Sequence, residues 1–129
     1  MLAVDTNVVV RFVAGDDPAQ YARAAALFRR QVVWIAKTVL LEAEWVLRSI
    51  YEYEPEQIAV ALRRLAGLPN VEVEDPGAVA QALDWYQQDL DFADALHLAS
   101  KAKSGSFLSF DQKLVKRAQR TGCNWVSLL

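Results

Sequence analysis

Short apolar runs recur along this chain with helix-like segments between them, and this alternation restricts the fold more than any other feature. Residues 2–5, 32–36, 71–74, 107–109 and 124–128 read as strands. After the first, Asp5-Thr6-Asn7 offers three residues able to cap a helix, and Asp17-Pro18 opens a second helix running to about Arg30. Thr38 reads as the N-cap of a helix through Tyr51, and Pro55 stands near the start of one ending around Gly67. Asp75-Pro76-Gly77 turns the chain into a helix ending near Gln87, and helices over residues 91–103 and 112–120 complete the set. Strands separated by helices join as parallel neighbours, because a parallel pair needs a crossover connection. The expectation is an α/β fold: one domain over residues 1–129, a three-layer α/β/α sandwich with a central parallel sheet. Ligands of such sheets bind at the carboxyl ends of the strands.

The composition narrows the chemistry. With 53% hydrophobic and 23% charged residues, the chain can bury one packed core. Its apolar runs are cut by Lys37 and Glu42, far short of the roughly 18 residues that a membrane span needs. Asp5 comes too early for a secretory signal, so the chain reads as cytoplasmic. One cysteine, Cys123, and one histidine, His97, cannot make a disulfide or a closed zinc site. Any metal must be held by oxygen.

Four acids stand where an α/β fold could gather them. Asp5 ends the first strand, Asp111 follows the fourth, and Glu42 and Asp94 lie in helical patterns. On the helix after Thr38, the apolar face reads as Val39, Ala43, Val46, Leu47 and Ile50, with Glu42 and Glu44 bordering it on opposite sides. Glu44 has Arg48 at i+4 in the order that favours a surface ion pair. Glu42 has Val46 there and no local cation, which makes it the better functional candidate. Asp91 reads as a helix N-cap, and Asp94 borders the face of Ala95, Leu98 and Ala102. Asp5, Asp91 and Asp111 taken alone could each be only a cap, which would leave Glu42 unexplained, and four carboxylates in one cleft would repel unless Mg²⁺ or Mn²⁺ neutralised them or some stayed protonated. Such a site points to metal-assisted phosphodiester chemistry.

Charge is unevenly distributed. The chain carries −2 overall, yet residues 101–120 hold six bases against Asp111, a local +5 that leaves −7 for the rest. Lys113, Lys116, Arg117 and Arg120 fall at i, i+3, i+4 and i+7, one stripe along a helix that could contact RNA phosphates or be merely solvated.

These segments resemble a known family. The motifs are Val4-Asp5-Thr6-Asn7-Val8-Val9-Val10-Arg11, Leu40-Leu41-Glu42-Ala43-Glu44-Trp45-Val46-Leu47, Asp91-Phe92-Ala93-Asp94-Ala95-Leu96-His97 and Leu108-Ser109-Phe110-Asp111. Together they resemble, nearly end to end, the PIN-domain ribonucleases, specifically the VapC-type toxins of toxin-antitoxin pairs. The resemblance implies a catalytic quartet of Asp5, Glu42, Asp94 and Asp111, with Asp91 accessory. Asp5 and Asp94 would hold one or two Mg²⁺ or Mn²⁺ ions, and Thr6, Asn7 and Ser109 would orient carboxylates or the scissile phosphate. It also implies an endoribonuclease acting by water attack, a homodimer, and an antitoxin partner. Trp34, Trp45, Tyr51 and Tyr53 include candidate anchors for such partners. Where the family more often has threonine this chain has Ser109. Where many toxins have a glycine it has Gln87-Gln88-Asp89-Leu90, so that loop is expected to differ.

Rival chemistries find less support. A metal-free ribonuclease would need a second histidine beside His97, and Cys123 lacks the neighbours that activate a thiol. The five glycines are too scattered to form a phosphate-cradling loop. A phospho-receiver module would need an aspartate ending a central strand, which residues 71–74 do not supply. A PIN-like module that binds RNA or a partner without cleaving stays open as the alternative.

Overall fold

Every strand of the protein pairs in parallel, as the helices between them require. The computed structural model describes residues 1–101 and 104–129. Along the chain run β1 (Leu2–Ala3), α1 (Thr6–Ala14), α2 (Pro18–Arg30), β2 (Val33–Ile35), α3 (Lys37–Ser49), α4 (Pro55–Ala66) and β3 (Val71–Val73). Then come α5 (Pro76–Gln87), α6 (Phe92–Ala99), β4 (Phe107–Ser109), α7 (Gln112–Arg120) and β5 (Val126–Leu128). The first three strands form one sheet in the order β1-β2-β3, with Val33 opposite both Leu2 and Val71. The last two, β4 and β5, form a second pair with Phe107 opposite Val126. The parallel sheet is thus in two parts, with no strand pairing between β1 and β4 among the described residues. This is the expected α/β architecture.

Local chemistry explains where most helices begin. Asp17 caps α2 by accepting from the Gln20 N–H at 3.0 Å, with Pro18 in the first turn. At α4 the Gln57 side chain accepts from the Glu54 N–H at 2.9 Å, and Pro55 follows at once. Gly15 ends α1 at φ 65°, a conformation that costs glycine little. The glycine-free loop after α5 turns instead on Asp89, held in the left-handed region at φ 77°, which a non-glycine residue adopts less readily.

Three expectations need correction. Thr38 is not a cap: α3 begins at Lys37, and the Lys37 N–H donates to Glu74 Oε1 at 2.9 Å across from the end of β3. A distant carboxylate does the work assigned to a local hydroxyl. Helix α6 stops at Ala99 because the Ser100 N–H folds onto the Leu96 and His97 carbonyls; of the longer helix expected, Ala102 and Lys103 lie outside the described residues. The buried face of α3 is Leu40, Ala43, Glu44 and Leu47, while Val39 and Val46 are half-buried and Ile50 is 63% exposed.

Glu44 pairs with Arg48 as foreseen, but it is a buried residue, only 2% exposed. Its Oε2 accepts from Arg48 Nε at 2.7 Å and from the Tyr86 hydroxyl of α5 at 2.9 Å. Burying a carboxylate is costly unless charge and hydrogen bonds compensate, and here both do. Burial and the adjacent Glu44 charge push the Tyr86 hydroxyl far above its ordinary value, so it remains a donor. Around this group a continuous core includes Ile35 of β2, Leu47 of α3, Leu62 of α4, Leu83 of α5 and Phe92 of α6.

Arg48→Ala removes the one cation paired with buried Glu44 among the described residues and is expected to cost about 3 kcal/mol of stability, against roughly 1–2 for Tyr86→Phe, which removes one hydrogen bond. Urea melts followed by circular dichroism measure both; equal and negligible costs would contradict the buried network.

Candidate active site

Three of the acids named from the sequence do cap helices. Asp5 accepts from the Val8 N–H at 3.3 Å, Asp91 from the Asp94 N–H at 3.1 Å, and Asp111 from the Lys113 and Leu114 N–H groups at 3.0 and 3.1 Å. Each does so through a single oxygen, Oδ1, Oδ2 and Oδ1 respectively, which fixes the carboxylate and leaves its other oxygen for a ligand. The acids also gain from the positive ends of α1, α6 and α7. Asp5 and Asp111 follow the carboxyl ends of β1 and β4, where an α/β fold presents its ligands.

Asp94 is the half-buried acid of the set, in the first turn of α6. Burial above all, then the charges of Asp91 and Asp111, hold its carboxyl above the ordinary aspartate range, while His97 and Arg117 pull the other way. One electrostatic field therefore joins Asp91 and Asp94, at the start of α6, with Asp111, at the start of α7. Glu42 is exposed on α3 and reaches this group through a cavity of about 510 Å³ lined by Thr38, Leu41, Glu42, Glu44, Trp45, Arg48, Asp91 and Ala93. Asp91 belongs to both. For Asp5, the hydrogen bond to Val8 is the one side-chain contact shown among the described residues. No three Asp, Glu, His or Cys side chains among the described residues stand at metal-holding spacing.

The supporting residues separate. Ser109 Oγ accepts from the Asp111 N–H at 2.9 Å and so orients the backbone of that acid. Thr6 is buried, and Asn7 faces a different cavity, of about 410 Å³, between α1 and α2 beside Arg11, Gln20 and Arg23. Lys113, Lys116, Arg117 and Arg120 are all exposed on α7, opposite its buried Leu114, Val115 and Ala118. Arg117, within the stripe, exerts a weak pull on the Asp94 carboxyl, and Asp111 caps the helix that carries the stripe. Trp45 is 52% exposed, whereas Trp34, Tyr51 and Tyr53 are half-buried, and the Tyr51 hydroxyl is engaged with Arg11 and Asp16.

Sequence reasoning missed the cavity wall. Thr38, Leu41, Glu42, Trp45 and Arg48 recur every three or four residues, a helical stripe whose mixed chemistry hid it from a search for apolar faces.

Compared with known protein families, residues 2–120 match the PIN domain. The chain belongs to the PIN domain family. No curated protein and no solved structure matches it. PIN domains are generally metal-dependent nucleases, PIN nucleases act on RNA, and the family typically binds divalent metals. In this PIN domain the acids described offer carboxylate oxygens, the donor type that Mg²⁺ and Mn²⁺ take. The repulsion felt by Asp94 is what a divalent cation relieves. By donor chemistry and by charge the residues fit such an ion. No helix is long and apolar enough to cross a membrane among the described residues.

Because the folded protein raises the Asp94 carboxyl, ionising it opposes folding: the relative stability is full below the unfolded value and is lost as pH rises through the folded one. Asp94→Asn should therefore melt with the parent near pH 3 and a few degrees above it at pH 7 in EDTA. A parent that melts higher than Asp94→Asn at pH 7 without metal would contradict the field described.

Proposed function

We propose that this PIN domain is a metal-dependent endoribonuclease, the toxin of a toxin-antitoxin pair, working in the cytoplasm as a homodimer. The observation that carries the enzymatic reading is the match of residues 2–120 to the PIN domain, with Asp94 half-buried beside Asp91 at the start of α6. Asp5, Glu42, Asp94 and Asp111 form the catalytic set, with Asp5 and Asp94 as the metal ligands. A bound cation supplies Lewis acidity and positive charge toward the phosphoryl oxygens. The chain's own residues do the rest. The caps at Asp5 and Asp111 hold each carboxylate at a fixed angle with one oxygen free, which lowers the cost of ordering them around a ligand. Ser109 steadies Asp111, and the exposed carboxylate of Glu42 is available to accept a proton from the attacking water. An antitoxin would inhibit by placing an Arg or Lys among these acids.

A second reading, an RNA-binding PIN module without catalysis, is favoured by the absence of three gathered ligands among the described residues. Incubating the purified protein with total RNA, with Mg²⁺ or Mn²⁺ and with EDTA, separates the two. Cleavage should require the metal, vanish in Asp5→Asn and Asp94→Asn, and fall less in Asp91→Asn. RNA binding without metal-dependent cleavage would establish the second reading.

Lys116→Glu with Arg117→Glu should weaken RNA binding regardless of sequence and reduce the slope of log affinity against log salt by roughly 1.4, at about 0.7 per lost phosphate contact on single strands. An unchanged slope would leave α7 a solvated face and put the phosphate path elsewhere, beside Arg11, Lys37 or Arg48.

A further inference from the structure

The cavity on the outer face of α3 brings an indole, a guanidinium and two carboxylates to one wall. At about 510 Å³ it lies within the roughly 300–1,000 Å³ of pockets that hold small organic molecules. Trp45, 52% exposed, provides an indole at its rim, where stacking on a base would cover it. Glu44 lines the wall from within and is buried; by taking Arg48 Nε at 2.7 Å and reaching Nη2 at 3.4 Å, it fixes the guanidinium and leaves Nη1 for a ligand's acceptor. Glu44 is itself occupied, by Arg48 and Tyr86. The carboxylates of Glu42 and Asp91 remain on the wall as acceptors, with Asp91 Oδ2 given to the Asp94 N–H.

This balance of charge decides what enters. With Arg48 matched by Glu44, the wall keeps a net negative charge from Glu42 and Asp91, which repels a phosphate and welcomes N–H donors. Among the four RNA bases, guanine alone sets two adjacent N–H donors beside a carbonyl acceptor on its pairing edge. A carboxylate accepts both donors, and an arginine donates to the carbonyl. Asp91, whose Oδ1 is unengaged among the described residues, is the carboxylate left for the base, with Glu42 kept for the attacking water.

We propose that the cavity bounded by Trp45, Arg48, Glu42 and Asp91 is a guanine-binding subsite of the RNA, next to the acids that would cleave it. Trp45 stacks the base, and Arg48, positioned by buried Glu44, reads its carbonyl. The proposal rests on the ribonuclease reading for its biological role, but the binding does not need catalysis.

The test uses the full chain in EDTA, so that nothing is cut, with five-nucleotide uridine oligomers carrying a central G, A, C or U, and binding read by fluorescence anisotropy. The G oligomer is expected to bind about tenfold more tightly than the others, and Trp45→Ala to lose about tenfold on it. Arg48→Lys keeps the charge beside Glu44 and should fold, as its thermal melt will show, yet lose most of the G preference. With metal added, the parent should cut next to G in total RNA, and Trp45→Ala should scatter its cuts. G-selective binding that depends on Trp45 upholds the subsite even if no cleavage occurs, in which case only the nuclease reading fails. Equal affinity for the four oligomers, or cleavage sites unchanged in Trp45→Ala, overturns it. So does a Trp45→Ala protein that turns from dimer to monomer in light scattering with its base preference intact, which would assign Trp45 to contact between copies.

Discussion

The candidate site depends on how α3 is rotated, and that rotation is held by one buried carboxylate. Glu44 faces inward to meet the Tyr86 hydroxyl from α5, and Arg48 closes over it from the surface side. A helix of 3.6 residues per turn that buries Glu44 together with Leu40, Ala43 and Leu47 commits positions 38, 42 and 45 to the outside. Glu42 and Trp45 are exposed for this reason. An apolar residue in place of Glu44 could fill the same space at no desolvation cost, but it would give Arg48 no fixed geometry. The ion pair therefore contributes orientation more than stability.

The acids serve twice. Capping a helix needs a side-chain oxygen at its first turn, and a cation site needs carboxylates that do not wander; Asp5, Asp91 and Asp111 make the first and would keep one oxygen for the second, because each cap occupies a single oxygen. The two readings of an acid, structural and functional, are thus compatible at the same residue. Asp94 is different. It makes no capping bond among the described residues, it is half-buried, and burial together with the charges of Asp91 and Asp111 raises its carboxyl.

Much of this was legible in the sequence wherever the cause was local. Asp17-Pro18, Pro55 and Asp75-Pro76 announced α2, α4 and α5 because caps and prolines act within one turn. The start of α3 was misread because its first N–H is satisfied by Glu74, 37 positions away. Glu44 was placed at the surface because its local partner, Arg48, was visible and its distant one, Tyr86, 42 positions on, was not. The convergence of Asp91 with Asp94 follows from their spacing, whereas Asp111 joins them only through the fold. The division of the strands into two groups had no local signal either, since the pairing of β1 with β2 and of β4 with β5 depends on how whole helices pack.

Asp91 connects the two halves of the site. It caps α6, it is second only to burial in raising the Asp94 carboxyl, and it adds to the Glu44 hydrogen bond and charge that raise Arg48. A cation near Asp94 would weaken the field of Asp91, and a base donating to Asp91 would do the same from the cavity side. Each ligand lowers the cost of keeping Asp94 ionised, so each favours the other, and by linkage the effect must be mutual. On the proposed reading, substrate and metal would then assemble together on a surface whose net charge alone would repel RNA, with the exposed bases of α7 available to offset that repulsion.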